Sequence, residues 1–349
     1  MHARKLTVDD IAKAMGLSIP QVWSLARNMD RAFWPTQRKL VRGKIREIDK
    51  PKPQTKRVLR KLHRFLQRRV GAHRSAHGGA RSRSCFTAAR QHLGRGYVVA
   101  RDVKDAYPSV LREALKHRLC RLGFRADVSL LLSLLCTVRG RLAQGSPVSS
   151  DALNLFFFDA DRALSAACGS VGARYSRTYD DMVISVNRGS MAEWPGNAMR
   201  KEIEAHGLKV NARKLHEKGS FGPRHHEQRV HNLVVNNKRG VRIGDDQVKK
   251  GVGLAEAYLR GAKTVGPDSL EGLACKRHKV TGWMHYCRQA EFGPARRIRQ
   301  LLDAGDRNVH RKLAAAGLSA RRNKWWVVCP TRNEPARLTA AWRRLRTAA

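Results

Sequence analysis

RYSRTYDDMVISV, residues 174–186, decides how the rest of the chain is read. Two carboxylates, Asp180 and Asp181, stand between an arm rich in Tyr and Thr and the β-forming arm Met182–Val186. Residues 173–187 therefore read as strand, turn, strand, with both acids presented at the turn. Asp tolerates turn geometry, so adjacent acids also arise as ordinary surface chemistry. A third acid changes the balance. Asp102 closes the apolar stretch YVVARD (97–102), and an uncompensated carboxylate at the end of a buried strand is costly. Three acids from two strand elements can hold two Mg²⁺ ions roughly 4 Å apart, the arrangement that supports in-line phosphoryl transfer.

Composition points to the partner. Across 349 residues, 70 Lys and Arg oppose 28 Asp and Glu, a formal charge of +42. Such self-repulsion suits a polyanion partner, whereas solubility alone needs only a small net charge. Aromatic residues make up 6%, so phosphate contacts rather than base stacking are expected to carry affinity. The seven cysteines are scattered with no CxxC pair, which argues against a zinc knuckle or disulfide framework and suits a reducing cytoplasm. No apolar run of membrane-spanning length is present, so no membrane partner and a cytoplasmic location are expected.

Outward from the centre, residues 6–27 read as two short helices around Gly16 with Thr7 as N-cap, a pattern shared by a packed extension and a DNA-binding helix-turn-helix. Residues 38–53 read as a basic hairpin. Residues 55–70 read as a basic amphipathic helix with Val58, Leu62, Phe65 and Leu66 on its apolar side. The Gly- and Ser-rich basic loop 71–84 is either disordered or ordered on nucleic-acid backbone. Residues 111–138 read as helical, 148–167 as one helix, 191–207 as a helix, 229–244 as a hairpin, and the chain after about 250 as helical and basic.

Asp102 with Tyr107, then GRLAQGSPVSS (140–150), then TYDD (178–181), resemble the three ordered palm motifs of reverse transcriptases. REIDKP (46–51) is similar to the fingers motif, GLKVNARK (207–214) to the motif after the catalytic hairpin, and RVHNLVVNNK (229–238) to the primer-grip hairpin. VTGWMHYCRQAEFGP (280–294) resembles a thumb segment of retron and group II intron-like enzymes. The resemblance spans roughly residues 38–300. It implies an α+β right-hand polymerase fold: an N-terminal helical extension (1–37), fingers (38–97 with 110–145), palm (98–249) and a basic helical thumb (250–349).

By the same resemblance, Asp102, Asp180 and Asp181 are the catalytic metal ligands, with two Mg²⁺ ions as cofactor and Mn²⁺ admissible. Tyr107 is the steric gate that excludes a 2′-hydroxyl. Gln144 and Gly145 contact the nascent pair, Arg46 the triphosphate and Lys214 the leaving pyrophosphate. Arg81, Arg83, His92, Tyr179 and Trp325 are candidate nucleic-acid contacts. The implied activity is RNA-directed DNA synthesis on a structured non-coding RNA, yielding cDNA, in antiphage defence alongside an effector protein. Departures concern the subfamily. Ala88–His92 keeps only Ala89 and His92 of the retron Asn-Ala-x-x-His segment, Val230-His231-Asn232 replaces Val-Thr-Gly, and Thr178-Tyr179 stands where many relatives have Tyr-Ala. Two rivals follow: a defence reverse transcriptase outside the retrons with different priming, and a non-catalytic helix-turn-helix regulator.

Overall fold

The computed structural model describes residues 5–41, 43–187, 193–212, 227–236, 239–265 and 269–315. It is a mixed α+β chain that divides into two compact units, 1–231 with 235–239, and 232–234 with 240–349. In the first unit, α1 (Val8–Met15) starts at Thr7, whose hydroxyl accepts from the Asp10 amide while the Asp10 carboxylate accepts from the Thr7 amide. It stops at Gly16, which takes the left-handed φ of 71° that glycine tolerates. α2 (Ile19–Arg27) opens with the same reciprocal cap between Ser18 and Gln21. Ile11, Met15 and Val22 join the main core, so this helical pair is a packed extension.

β1 (Gln37–Val41) and β2 (Lys44–Ile48) form the basic antiparallel hairpin, and α3 (Pro53–Arg69) follows. α3 buries Thr55, Leu59, Leu62 and Leu66, with Val58 and Phe65 only partly covered. The expected apolar side is therefore the packed one, widened by Thr55 and Leu59. α4 (Cys85–Arg90) leads into β3 (Tyr97–Asp102), and the short α5 (Ala106–Ser109) follows. α6 (Arg112–Arg121) and α7 (Ala126–Cys136) then lead into the two-residue strands β4 (Thr137–Val138) and β5 (Arg141–Leu142).

The single helix expected over 148–167 is two, α8 (Ser149–Phe156) and α9 (Phe158–Ser170), broken at Phe157. Phe156 and Phe157, at the break, are both buried, their rings edge-to-face at 5.4 Å. β6 (Arg174–Thr178) and β7 (Asp181–Val186) complete an antiparallel sheet of order β3-β7-β6, against which α10 (Glu193–Ala205) packs.

The hairpin expected over 229–244 holds only two-residue strands: β8 (Arg229–Val230), and β9 (Leu233–Val234) paired with β10 (Arg242–Ile243). In the second unit, α11 (Asp245–Thr264), α12 (Leu270–Cys287) and α13 (Ala295–Ala315) pack on one another. Asp306 ties them, accepting from Tyr258 Oη at 2.5 Å and from Arg277 at 2.8 and 2.6 Å. The expected palm–thumb boundary at 249/250 falls inside α11, whereas the compact units part near residue 240. Among the described residues, no helix is long and apolar enough to cross a membrane.

Candidate active site

The sheet register brings the acids together. Asp102 pairs with Asp181 across β3 and β7, and Thr178 pairs with Asp181 across β6 and β7. Directly paired residues share a face of an antiparallel sheet, so Asp102 and Asp181 stand side by side. Tyr179 and Asp180 form the two-residue turn, and Tyr179 takes a φ of 56°. A left-handed tyrosine costs about 1–2 kcal/mol, so the surroundings must hold it.

The clamp is Arg177. It is completely buried, makes a two-point ion pair with Asp161 at 2.9 and 2.6 Å, and donates to the Tyr179 carbonyl at 2.7 Å. Its guanidinium also reaches Asn154 Oδ1 and lies 5.0 Å from the Phe157 ring centroid. The loop 71–84 crosses against the same turn: the His77 amide donates to the Arg177 carbonyl, and the Arg177 amide to the Ser75 carbonyl. A Cβ on Gly78 would collide with the Tyr179 backbone nitrogen, and one on Gly79 would reach the Ser150 Cβ at 2.5 Å. The loop is thus ordered by the protein itself, and its glycines permit close approach.

Asp102 is 6% exposed. Its Oδ2 accepts from Asn211 Nδ2 at 2.8 Å, and its carbonyl accepts from the Asn211 amide at 2.8 Å. Ligand atoms of Asp102, Asp180 and Asp181 lie within 4.8 Å of one another. Three carboxylates at that separation repel unless a cation offsets them, and an all-oxygen donor set suits a hard divalent ion such as Mg²⁺ or Mn²⁺. The residues fit the expected metal.

One cavity adjoins the acids and a second lies beyond its Tyr107–Gln144 wall. The first, of about 450 Å³, is lined by Asp102, Asp180, Asn211, Arg46, Tyr107 and Gln144. The other, of about 520 Å³, is lined by Lys56, Arg60, Gly145, Ser150 and Tyr179, and shares Tyr107 and Gln144 as its wall. Burial, then the nearby Asp180 charge, pushes the Tyr107 phenol well above its usual range, so the hydroxyl stays protonated. Gln144 is held by buried Asp49, whose amide donates to the Gln144 carbonyl at 2.8 Å and whose Oδ2 accepts from the Gln144 amide at 3.2 Å. Arg139 and Thr36 anchor the other carboxylate oxygen of Asp49. Gly145, at φ 125°, allows the Asp49 carbonyl to approach.

The remaining candidates scatter. His92 is fully buried, bonded to Ser185 Oγ at 2.7 Å and Ser176 Oγ at 2.8 Å, so it offers no edge to nucleic acid. It is a pin between β6 and β7. Arg83 turns inward to the His73 and Ala76 carbonyls and braces its own loop. Arg81 and Tyr179 are exposed. Lys214 and Trp325 lie outside the described residues.

Five residues carry no site role in the sequence reading: Asn211, Asp49, Arg177, its partner Asp161, and His231. Charges within apolar strand and helix patterns, at Arg177 and Asp161, were the available signal. His231 takes a φ of 51°, and its Nδ1 lies 3.9 Å from Asp181 Oδ2. Burial pushes it down to about 4, leaving a neutral imidazole.

No protein-family model matches the chain. Among curated proteins it is similar to the retron Mx162 reverse transcriptase of Myxococcus xanthus, 31% identical over 267 residues, covering 66% of this chain and 53% of that protein. It is also similar to the retron Mx65 enzyme of the same organism, 26% identical over 310 residues (78% and 71%). The retron Ec86 enzyme of Escherichia coli is 24% identical over 243 residues (69% and 74%). The chain thus spans about half the length of the first of these relatives. Among solved structures, apo telomerase from Candida tropicalis aligns with 79% of this chain and 62% of its own, at 11% identity and a TM-score of 0.45.

Proposed function

We propose that this chain, a homologue of the retron reverse transcriptases, is itself an RNA-directed DNA polymerase working on a structured non-coding RNA. The observation that carries this reading is the register that sets Asp102 beside Asp181, with Asp180 at the adjoining turn and a cleft alongside. Asp102, Asp180 and Asp181 would hold two Mg²⁺ ions, which when bound activate the primer 3′-hydroxyl and stabilise charge on the transferring phosphate. The chain supplies geometry. Asn211 orients Asp102, Arg177 fixes the turn carrying Asp180, and Asp49 sets Gln144 at the cleft wall. Tyr107, on the wall shared by the two cavities, would pack against the sugar of an incoming dNTP. Arg46 lines the same cleft as a cation for its triphosphate.

In this reading the hairpin and α3 belong to the fingers, the β3-β7-β6 sheet to the palm, and α11–α13 to the thumb. The relatives' names favour a retron-type enzyme; a cDNA product and a defence role beside an effector protein complete the proposal. Sequencing the nucleic acid that copurifies with the chain tests this. A short branched RNA–DNA hybrid is expected, and long or protein-linked DNA would favour the non-retron alternative.

Primer extension with Mg²⁺ tests the activity. Asp181→Ala is expected to abolish dNTP incorporation while folding and RNA binding persist, because it removes an acid from the metal set. Undiminished incorporation by that variant would remove Asp181 from the metal set, and no incorporation by wild type, with RNA binding unchanged in Asp181→Ala, would return the chain to the non-catalytic binder.

A further inference from the structure

Resting on that reading of the acids as metal ligands, we propose that His231 is a positioning residue for Asp181, presenting Nδ1–H to Oδ2 so that the other carboxylate oxygen faces the metal. Three observations carry it. The imidazole is 9% exposed, and its Nδ1 lies 3.9 Å from Asp181 Oδ2, in a carboxylate that is itself 45% exposed. Secondly, His231 Nε2 is buried and has no hydrogen-bond partner among the described residues. A buried donor without a partner costs more than an acceptor left bare, so the ring proton belongs on Nδ1, the nitrogen that faces Asp181. Thirdly, His231 and Asn232 both take left-handed φ values, 51° and 66°. That conformation is strained in a residue other than glycine, so the surrounding structure must hold it.

His231 is not one of the group whose ligand atoms lie within 4.8 Å of one another, which favours action through Asp181 over direct ligation. At 3.9 Å the contact is longer than a hydrogen bond, as contacts of this kind often are before the reacting groups are loaded. Partners of metal-ligating side chains typically account for about 10- to 100-fold in metal affinity. The Val-Thr-Gly of the retron pattern has no imidazole here, so this device belongs to the chain's own Val230-His231-Asn232.

The test is Mn²⁺ binding to the full chain, read by the loss of the free-ion electron paramagnetic resonance signal, with no turnover required. Wild type should bind and Asp181→Ala should lose binding, which checks the ligand assignment by itself. His231→Ala should bind about tenfold more weakly. His231→Asn, which keeps a donor near Nδ1 and tolerates the left-handed backbone, should return most of the affinity. Wild-type affinity in His231→Ala, with Asp181→Ala still deficient, would overturn the positioning role and leave the metal site standing. Equal binding by wild type and Asp181→Ala would overturn both. Should His231→Ala not fold, pulsed spectroscopy of the Mn²⁺-loaded wild type decides. No directly bonded ¹⁴N coupling is expected, and finding one would overturn the proposal in favour of ligation.

Discussion

Tyr107 separates two cavities with one ring, and its protonated hydroxyl carries no charge to repel a triphosphate. If the ring is what a ribose 2′-hydroxyl would strike, shortening it should admit ribonucleotides without harming the acids. Tyr107→Val is expected to lower the dNTP-to-rNTP ratio of kcat/KM by roughly 10- to 100-fold, the scale set by filling or emptying a small pocket. Tyr107→Phe should keep the ratio near wild type. Arg177 works differently, because it touches no substrate. Removing one partner of a fully buried ion pair leaves the other charge stranded, at a cost of about 3–5 kcal/mol. Arg177→Met should therefore lower the unfolding free energy in urea by about that amount. The double variant Arg177→Met/Asp161→Leu should recover much of it. Equal stability of Arg177→Met and wild type would mean that the clamp on the Tyr179 turn holds nothing.

At the scale of elements, local chemistry was legible and crossing chemistry was not. The Thr7 cap and Gly16 stop of α1, and the strand–turn–strand around Asp180, depend on neighbours in sequence, and both read directly. The break at Phe157, the anchoring of Gly78 beneath the turn, and the Asn211 bond to Asp102 depend on residues tens to more than a hundred positions away, so no local pattern announces them. His92 shows the same blindness. A histidine in a basic stretch reads as a nucleic-acid contact, yet its two nitrogens are taken by serines of β6 and β7.

That placement has a pH signature. Burial pushes His92 down to about 3, whereas in the unfolded chain it titrates near about 6.5. Below that value the unfolded chain takes up a proton that the folded chain refuses. The stability contributed is thus fully present above about pH 6.5 and falls as pH drops toward 3. His77 and His231, each pushed to about 4 mainly by burial, add to the slope. Urea midpoints measured from pH 7.5 down to about 4.5 should fall with pH in wild type. They should fall less steeply in His92→Gln. A parallel decline in both would show that His92 is already protonated in the folded sheet.

For the molecule as a whole, the formal +42 sets an expectation that no single contact does. Most of the 70 bases cannot be neutralised internally, since only 28 acids face them and three of those acids are gathered at the cleft. Lys56 and Arg60 line the cavity beyond Tyr107, and α13 carries Arg296, Arg297 and Arg299 on exposed positions. With aromatic residues at only 6%, stacking has little to offer, and affinity must come largely from counterions released by phosphates. A protein making about 6–10 such contacts loses on the order of 10³- to 10⁵-fold in affinity between about 50 and 200 mM salt. Fluorescence anisotropy with a structured RNA and with an unrelated RNA of equal length should show steep, nearly parallel salt slopes, because the charge term ignores sequence. The two lines should be offset vertically if structure is also read. A shallow slope for both would mean that the charge is not spent on phosphate, and the polyanion partner on which the polymerase reading depends would lose its physical basis.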